Sequence, residues 1–378
     1  MNTTKIFVFT LFSAIIFSAC EKTIDFKSGE IAPRMVVNSV FVAGSKYKYV
    51  RVEKSRSILN DNEYFESLPN ANVKLYEDGE FITELAYMSV VDTFVDQLEY
   101  GVVKEYPYEA GYYLDSAFTV KSGSTYRLEV SGEGFEPVFC ETTVPYPVKL
   151  NSLDFEIEKT PSDNYNLYAQ TFNLNIADSK SEDNYYRIQV TQTHGIELSR
   201  LFANYYGYGY GGSAYADDTD TTVTDTIVQQ LYINSGVNSN DPVLTRYSNG
   251  DLFDSENDFN SYSFFTDELM GSEDYNLSFW LTSVNEIRDD LGEYIDATAT
   301  VLNISKELYY YSRSKTQQSN AIDNAFAEPV PVYSNVNGGM GIFGSEAASS
   351  LSSLIGRYPL EDKIYITREK LWELYYGY

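Results

Sequence analysis

From Met35 onward, apolar residues recur at every second position in short runs separated by turn formers. The stretches "MVVNSVFV", "YKYVRVEKS", "ANVKLYEDGEFITELAYM", "TYRLEVSGEG" and "EPVFCETTVP" all carry this period, which turns alternate side chains of a strand to opposite faces. Asp78-Gly79 sits between two such runs, and both residue types tolerate the positive φ of a type I′ turn, so the pair predicts a hairpin. Cys140 shares its strand face with Val138 and Val144 and reads as a buried, inert thiol. Pro145 and Pro147 cannot donate to a ladder and mark a boundary.

Beyond that boundary the alternation resumes in "LYAQTFNLNIAD", "NYYRIQVTQTHGIEL", "DTIVQQLYIN", "YSFFTDEL", "YNLSFWLTSVNE" and "ATATVLNIS". Two later stretches are helical in pattern. In "SKELYYYSRSKTQQ", Ser305 is a cap, Glu307 lies in the first turn and Arg313 and Lys315 lie toward the other end, which predicts a helix over about Lys306 to Gln317. "TREKLWELYY" repeats the logic with Thr367 as cap and Leu371, Leu374 and Tyr375 on one face. In "KSGSTYRLEV" a glycine is followed by Thr125-Tyr126 entering a strand, an arrangement that resembles the tyrosine corner of immunoglobulin-type folds. The chain is therefore expected to be mainly β. Residues 1–19 read as a signal peptide, 20–33 as a tether, 34–146 as an immunoglobulin-like β-sandwich, and 147–378 as a second β-rich domain with C-terminal helices.

Composition narrows the partners. A formal charge of −28 and a pI near 4.3 argue against nucleic acid, which demands a basic stripe, and against anionic lipid head groups. Tyrosine is the outlier, with 35 against 2 tryptophans; it suits strands and it also supplies rigid contact area. With Cys20, Cys140 and the single His194, the chain lacks the residues for a Cys/His zinc site or a disulfide framework. His194 opens "HGIEL" behind a strand, and no second histidine exists to share metal or base chemistry with it. A pair of carboxylates would serve a glycosidase, but nothing singles out two of the 55 acids.

The N-terminus carries Lys5, an uncharged apolar run from Ile6 to Phe17, and Ser18-Ala19 before Cys20. That is a secretory signal, too short to span a bilayer. Its small-small-Cys ending resembles a bacterial lipobox, although Phe17 stands where Leu is usual. The resemblance implies cleavage before Cys20 and acylation there, and several acyl chains make a stable anchor.

"NAFAEPVPVYSNVNGGMGIFGSEAAS" resembles the closing motif of a Bacteroidetes lipoprotein family, domain of unknown function 4249. Phe326, Glu328, Pro329, Ser334, Asn335, Gly338, Gly339, Gly341, Phe343 and Gly344 carry the likeness, and "EKTIDF", "ANVKLYEDG", "FFTDELMGSEDYNLSF" and "SKELYYYSRSKTQQ" agree with it. The resemblance implies an outer-membrane lipoprotein, periplasmic or surface-exposed, partnered with a TonB-dependent receptor; it implies no catalytic residues. Physically, the glycines read as a conformationally demanding turn that closes the second domain, with a binding site as the alternative.

One stretch stands apart. "FANYYGYGYGGSAYADDTD" lies between two strands, and its Gly/Tyr alternation cannot hold a core. Tyr205, Tyr206, Tyr208, Tyr210 and Tyr215 have the composition of a binding loop, with low-complexity filler as the alternative. Asp217, Asp218 and Asp220 follow. Val223 and Gln229 stand where an EF-hand needs Gly and Glu, so only a looser calcium site, or a solvated acidic turn, remains there. The expected function is a non-enzymatic, ligand-capturing accessory of a TonB-dependent receptor. The alternatives are a surface structural or adhesive lipoprotein and, third, a nutrient-trimming hydrolase.

Overall fold

The computed structural model describes residues 32–56, 66–97, 103–159, 168–177, 183–198, 226–234, 236–245, 264–271, 274–283, 293–322, 330–356 and 364–376. The chain divides into two compact units. One comprises Met1–Pro33 and Arg56–Asn62; the other, Arg34–Ser55 with Glu63–Tyr378, holds all the architecture that follows.

The first half of that unit contributes β1 (Met35–Val42), β2 (Lys48–Lys54), β3 (Glu66–Ser67), β4 (Asn72–Glu77), β5 (Glu80–Glu84), β6 (Ala86–Gln97), β7 (Val103–Asp115), β8 (Thr125–Ser131) and β9 (Val138–Thr143). The second half contributes β10 (Lys149–Lys159), β11 (Tyr168–Ala177), β12 (Tyr185–Glu197), β13 (Thr226–Asn234), helix α1 (Pro242–Thr245), β14 (Phe264–Thr266), β15 (Asp274–Ser283), β16 (Tyr294–Ile304), α2 (Lys306–Ile322), β17 (Met340–Gly356), β18 (Ile364–Thr367) and α3 (Arg368–Tyr376). The protein is mainly β, as the alternation predicts.

One large sheet runs β18-β13-β12-β16-β17-β1-β2-β7-β6, with β14 beside β12 and β3 beside β2. A sheet β5-β4-β8-β9 packs on its first-half strands, and a sheet β10-β11-β15 packs on its second-half strands, enclosing two cores. Local chemistry explains the elements. Asp78 and Gly79 take φ of 51° and 87° and close the β4–β5 hairpin, pairing Glu77 with Glu80. Tyr126 is buried, and its hydroxyl accepts the Lys121 N–H at 3.0 Å and donates to Glu77 at 2.9 Å, the corner bond that the sequence suggested. Cys140 is fully buried on β9, and burial pushes its thiol up to about 12. Ser305 accepts the Leu308 N–H at the start of α2 and Thr367 accepts the Lys370 N–H at the start of α3; α2 runs to Ile322, past the expected Gln317. The run "EFITELAYM" is not one strand: Leu85, 4% exposed, lies between β5 and β6, which belong to different sheets.

Strand β17 joins the two halves. Met340 to Glu346 pair in parallel with β1, and Glu346 to Gly356 pair antiparallel with β16. Phe343 is fully buried against Phe41 at 4.9 Å, and Val336 joins the same core. The glycine-rich turn therefore closes the first sandwich and not, as the sequence suggested, the second. Beside it, Ser345 bonds Thr142 at 3.0 Å and the Thr143 carbonyl at 2.9 Å, while its N–H donates to Ser305, so β9, β17 and the α2 cap share one buried polar network.

Candidate functional site

The outer face of β2, β7 and β6 is the clearest candidate contact surface. Strand parity sets it up: Val50 and Val52 face the core, which sends Tyr47, Tyr49 and Arg51 outward. Lys48 goes inward as a consequence. Its ammonium is fully buried and is held by Asp115 at 3.1 Å, by the Phe118 carbonyl, and by the Phe118 ring 3.6 Å away. Register then places Leu114 opposite both Tyr49 and Ala86, and Tyr112 opposite Met88. Tyr49, Met88, Val90, Tyr112 and Leu114 line a shallow cavity of about 300 Å³. Tyr47, Tyr49, Met88 and Val90 are 62%, 50%, 44% and 45% exposed, and Val40 on β1 extends the patch. Arg51 sits at the rim, 5.8 Å from the Tyr112 ring and paired with Glu53. Exposed aromatic and methionine side chains with an arginine beside them have the composition of contact sites. The signal was in the sequence: Tyr47 and Tyr49 share parity with Arg51, opposite to Val50 and Val52.

A second region is the end of the second sandwich from which its loops depart. Glu197 and Thr226 are the strand ends bracketing the Tyr/Gly stretch; Thr226 pairs with Ile364, and Gly195, two residues before Glu197, pairs with Tyr294, which in turn pairs with Gly356. There the space between the sheets is polar. Gln192 donates to Gln170, both 3% exposed, and His194 approaches Gln192 at 3.4 Å and packs at a tilt against the Tyr232 ring, 4.6 Å between centroids. Burial lowers the His194 pKa to about 4, so the imidazole is neutral near pH 7. His194 lies inside β12, which continues to Glu197, and not behind it as the sequence suggested.

The remaining sequence candidates divide. Cys20, Tyr205, Tyr206, Tyr208, Tyr210, Tyr215, Asp217, Asp218, Asp220, Phe326, Glu328 and Pro329 lie outside the described residues. Among the described residues no group of three or more metal-ligating side chains occurs, and no helix is long and apolar enough to cross a membrane. The rest of the closing motif is committed to holding the fold. The Asn335 amide donates to the Glu141 and Phe343 carbonyls and accepts the Phe343 N–H, mimicking a backbone rung. Ser334 accepts the Val336 N–H, and Gly338 and Gly339 follow the bridge between Asn337 and Phe139. Gly341, at φ 106°, leaves no room for a Cβ against the Val37 carbonyl; a Cβ on Gly344 would lie 2.7 Å from that of Leu308, so α2 docks on β17 only over a glycine. Around that contact, Tyr185, Phe264, Tyr309, Tyr310 and Tyr333 form an aromatic cluster, and the Tyr333 N–H donates to Ser314.

A model of a family described as a domain of unknown function, DUF4249, matches residues 21–352. The chain belongs to that family. Neither a curated protein nor a solved structure matches it. The segments that suggested DUF4249 in the sequence are far apart along the chain, yet "FFTDEL", α2 and Tyr333 to Gly344 meet around Leu308 and Tyr309. In this DUF4249 protein they build the junction between the two sandwiches, and the exposed apolar face lies elsewhere.

Proposed function

We propose that this DUF4249 protein is a lipoprotein anchored through Cys20 to the outer membrane, acting as a non-enzymatic accessory or ligand-capture partner of a TonB-dependent receptor. The observation that carries the reading is the exposed apolar face around Tyr49, Met88 and Tyr112, on the sheet whose first strand follows the tether. Residues 20–33 span at most about 50 Å when fully extended, so such a face works close to the bilayer, within reach of a membrane-embedded receptor. Its chemistry suits a protein surface: aromatic and methionine anchors at the centre, and an arginine at the rim. The first sandwich is read as immunoglobulin-like, supported by the Tyr126 corner and the two packed sheets, and the division at residue 147 is read as the seam between sandwiches, bridged by β17.

Purification in mild detergent, followed by mass spectrometry of the associated proteins, tests the reading. The wild-type chain should bring down a TonB-dependent receptor. Tyr49→Asp combined with Met88→Asp should reduce recovery more than tenfold, since central anchors contribute about 2 kcal/mol or more each. Recovery of fimbrial components alone would favour the structural alternative, and a bound receptor indifferent to both substitutions would remove the assigned face.

A further inference from the structure

Among the described residues, β13 has a strand neighbour on its outer side for only part of its length. β13 pairs with β12 from Ile227 opposite Glu197 to Asn234 opposite Val190, without a bulge. On its other side β18 covers only Thr226 to Gln229. There β18 gives way to α3, which also contacts β13, and Arg368 donates to the Gln230 side chain at 2.6 Å. Along Gln230 to Asn234 no described strand lies on the far side. Leu231 and Ile233 are 61% and 62% exposed, and opposite Thr193 and Thr191 they face outward; Tyr232, 38% exposed, faces the other way. Natural sheets protect such edges with lysine, proline, a bulge or a covering segment. "QLYIN" has neither lysine nor proline, and its pairing is regular.

We propose that the Gln230–Asn234 edge of β13 is a strand-addition site that takes an extended segment of a different protein. Five residues offer about 17 Å of ladder, enough for one short strand. In this mode main-chain bonds supply affinity and alternate side chains supply selectivity, so the segment is apolar at every second position, to lie beside Leu231 and Ile233. Its net charge is zero or positive. The chain carries −28, which opposes both an acidic segment and a second copy of itself at this edge. The inference stands apart from the receptor reading and uses a different sheet edge from the face around Tyr49.

A displayed library of random heptapeptides, selected on the immobilised full chain and counter-selected on a Leu231→Lys, Ile233→Lys variant, tests it. Because both side chains are exposed, the variant should keep the parent's circular dichroism and melting. Enriched peptides should alternate apolar residues, carry no net negative charge, and lose at least tenfold in affinity on the variant or when alternate amides are N-methylated. The N-methylated peptides keep the test decisive even where the variant misfolds. Absence of enrichment over the variant, or binding indifferent to N-methylation, would overturn the proposal. So would sedimentation showing a wild-type dimer that the variant abolishes, because the edge would then belong to a second copy.

Discussion

Phe343→Ala should open the first sandwich, although the residue lies in a strand that also builds the second. Phe343 is fully buried, with its ring edge-on to Phe41 at 4.9 Å. Truncating a buried phenylalanine costs about 3–5 kcal/mol, the aromatic pair itself about 0.5–1.5 kcal/mol of it. At about 1.4 kcal/mol per tenfold, the open population should rise roughly a hundredfold to a few thousandfold. The chain contains its own reporters. Cys140 is fully buried in the first sandwich with its thiol pKa pushed up to about 12, so labelling it requires opening. Trp280, in β15, reports on the second half. The assay is the rate of Cys140 alkylation, mapped by mass, alongside tryptophan fluorescence over a denaturant series. Faster Cys140 labelling at denaturant concentrations where the tryptophan signal is still native is the expected outcome. A variant whose Cys140 stays as protected as the parent's, with only the tryptophan midpoint lowered, would refute the idea that β17 completes the first core.

Two further outcomes follow from the same geometry. Burial holds the His194 pKa near 4, below its ordinary 6.5, so the unfolded chain binds the extra proton and the contribution of this residue is lost as pH falls from about 6.5 toward 4. His194→Gln should flatten the decline of the urea midpoint over that window relative to the parent; an unchanged slope would mean the ring is solvated. Replacing Asn204 to Ala216 with a short Gly-Ser linker should leave melting nearly unchanged, since closure entropy varies slowly with loop length, while lowering binding more than tenfold if the tyrosines contact a partner. A large fall in melting temperature would place them in a core.

What the sequence revealed and what it hid have a common physical cause. Features fixed by a few neighbouring residues were legible: the Asp78-Gly79 turn, the caps at Ser305 and Thr367, the Tyr126 corner and the buried Cys140. Features that depend on pairing between distant segments were not. Nothing near Met35 announces that β1 will pair in parallel with residues 340–346, and so the glycine-rich turn seemed to close the wrong sandwich. The run through Leu85 kept its alternation while the chain crossed between sheets, which a period-two pattern cannot register. The apolar face was half legible. Parity separated Tyr47 and Tyr49 from Val50 and Val52, but "AYMSVV" is apolar on both faces, so only the exposure of Met88 and Val90 in the fold shows that they are outside.

The mass of the N-terminal peptide of the membrane-extracted protein tests the anchored-accessory account most directly. The account predicts a chain beginning at Cys20 and carrying acyl mass, with Cys20→Ser abolishing that mass and releasing the exported protein from the membrane fraction. An unmodified Cys20 peptide, from a protein that stays with the membrane regardless, would contradict it.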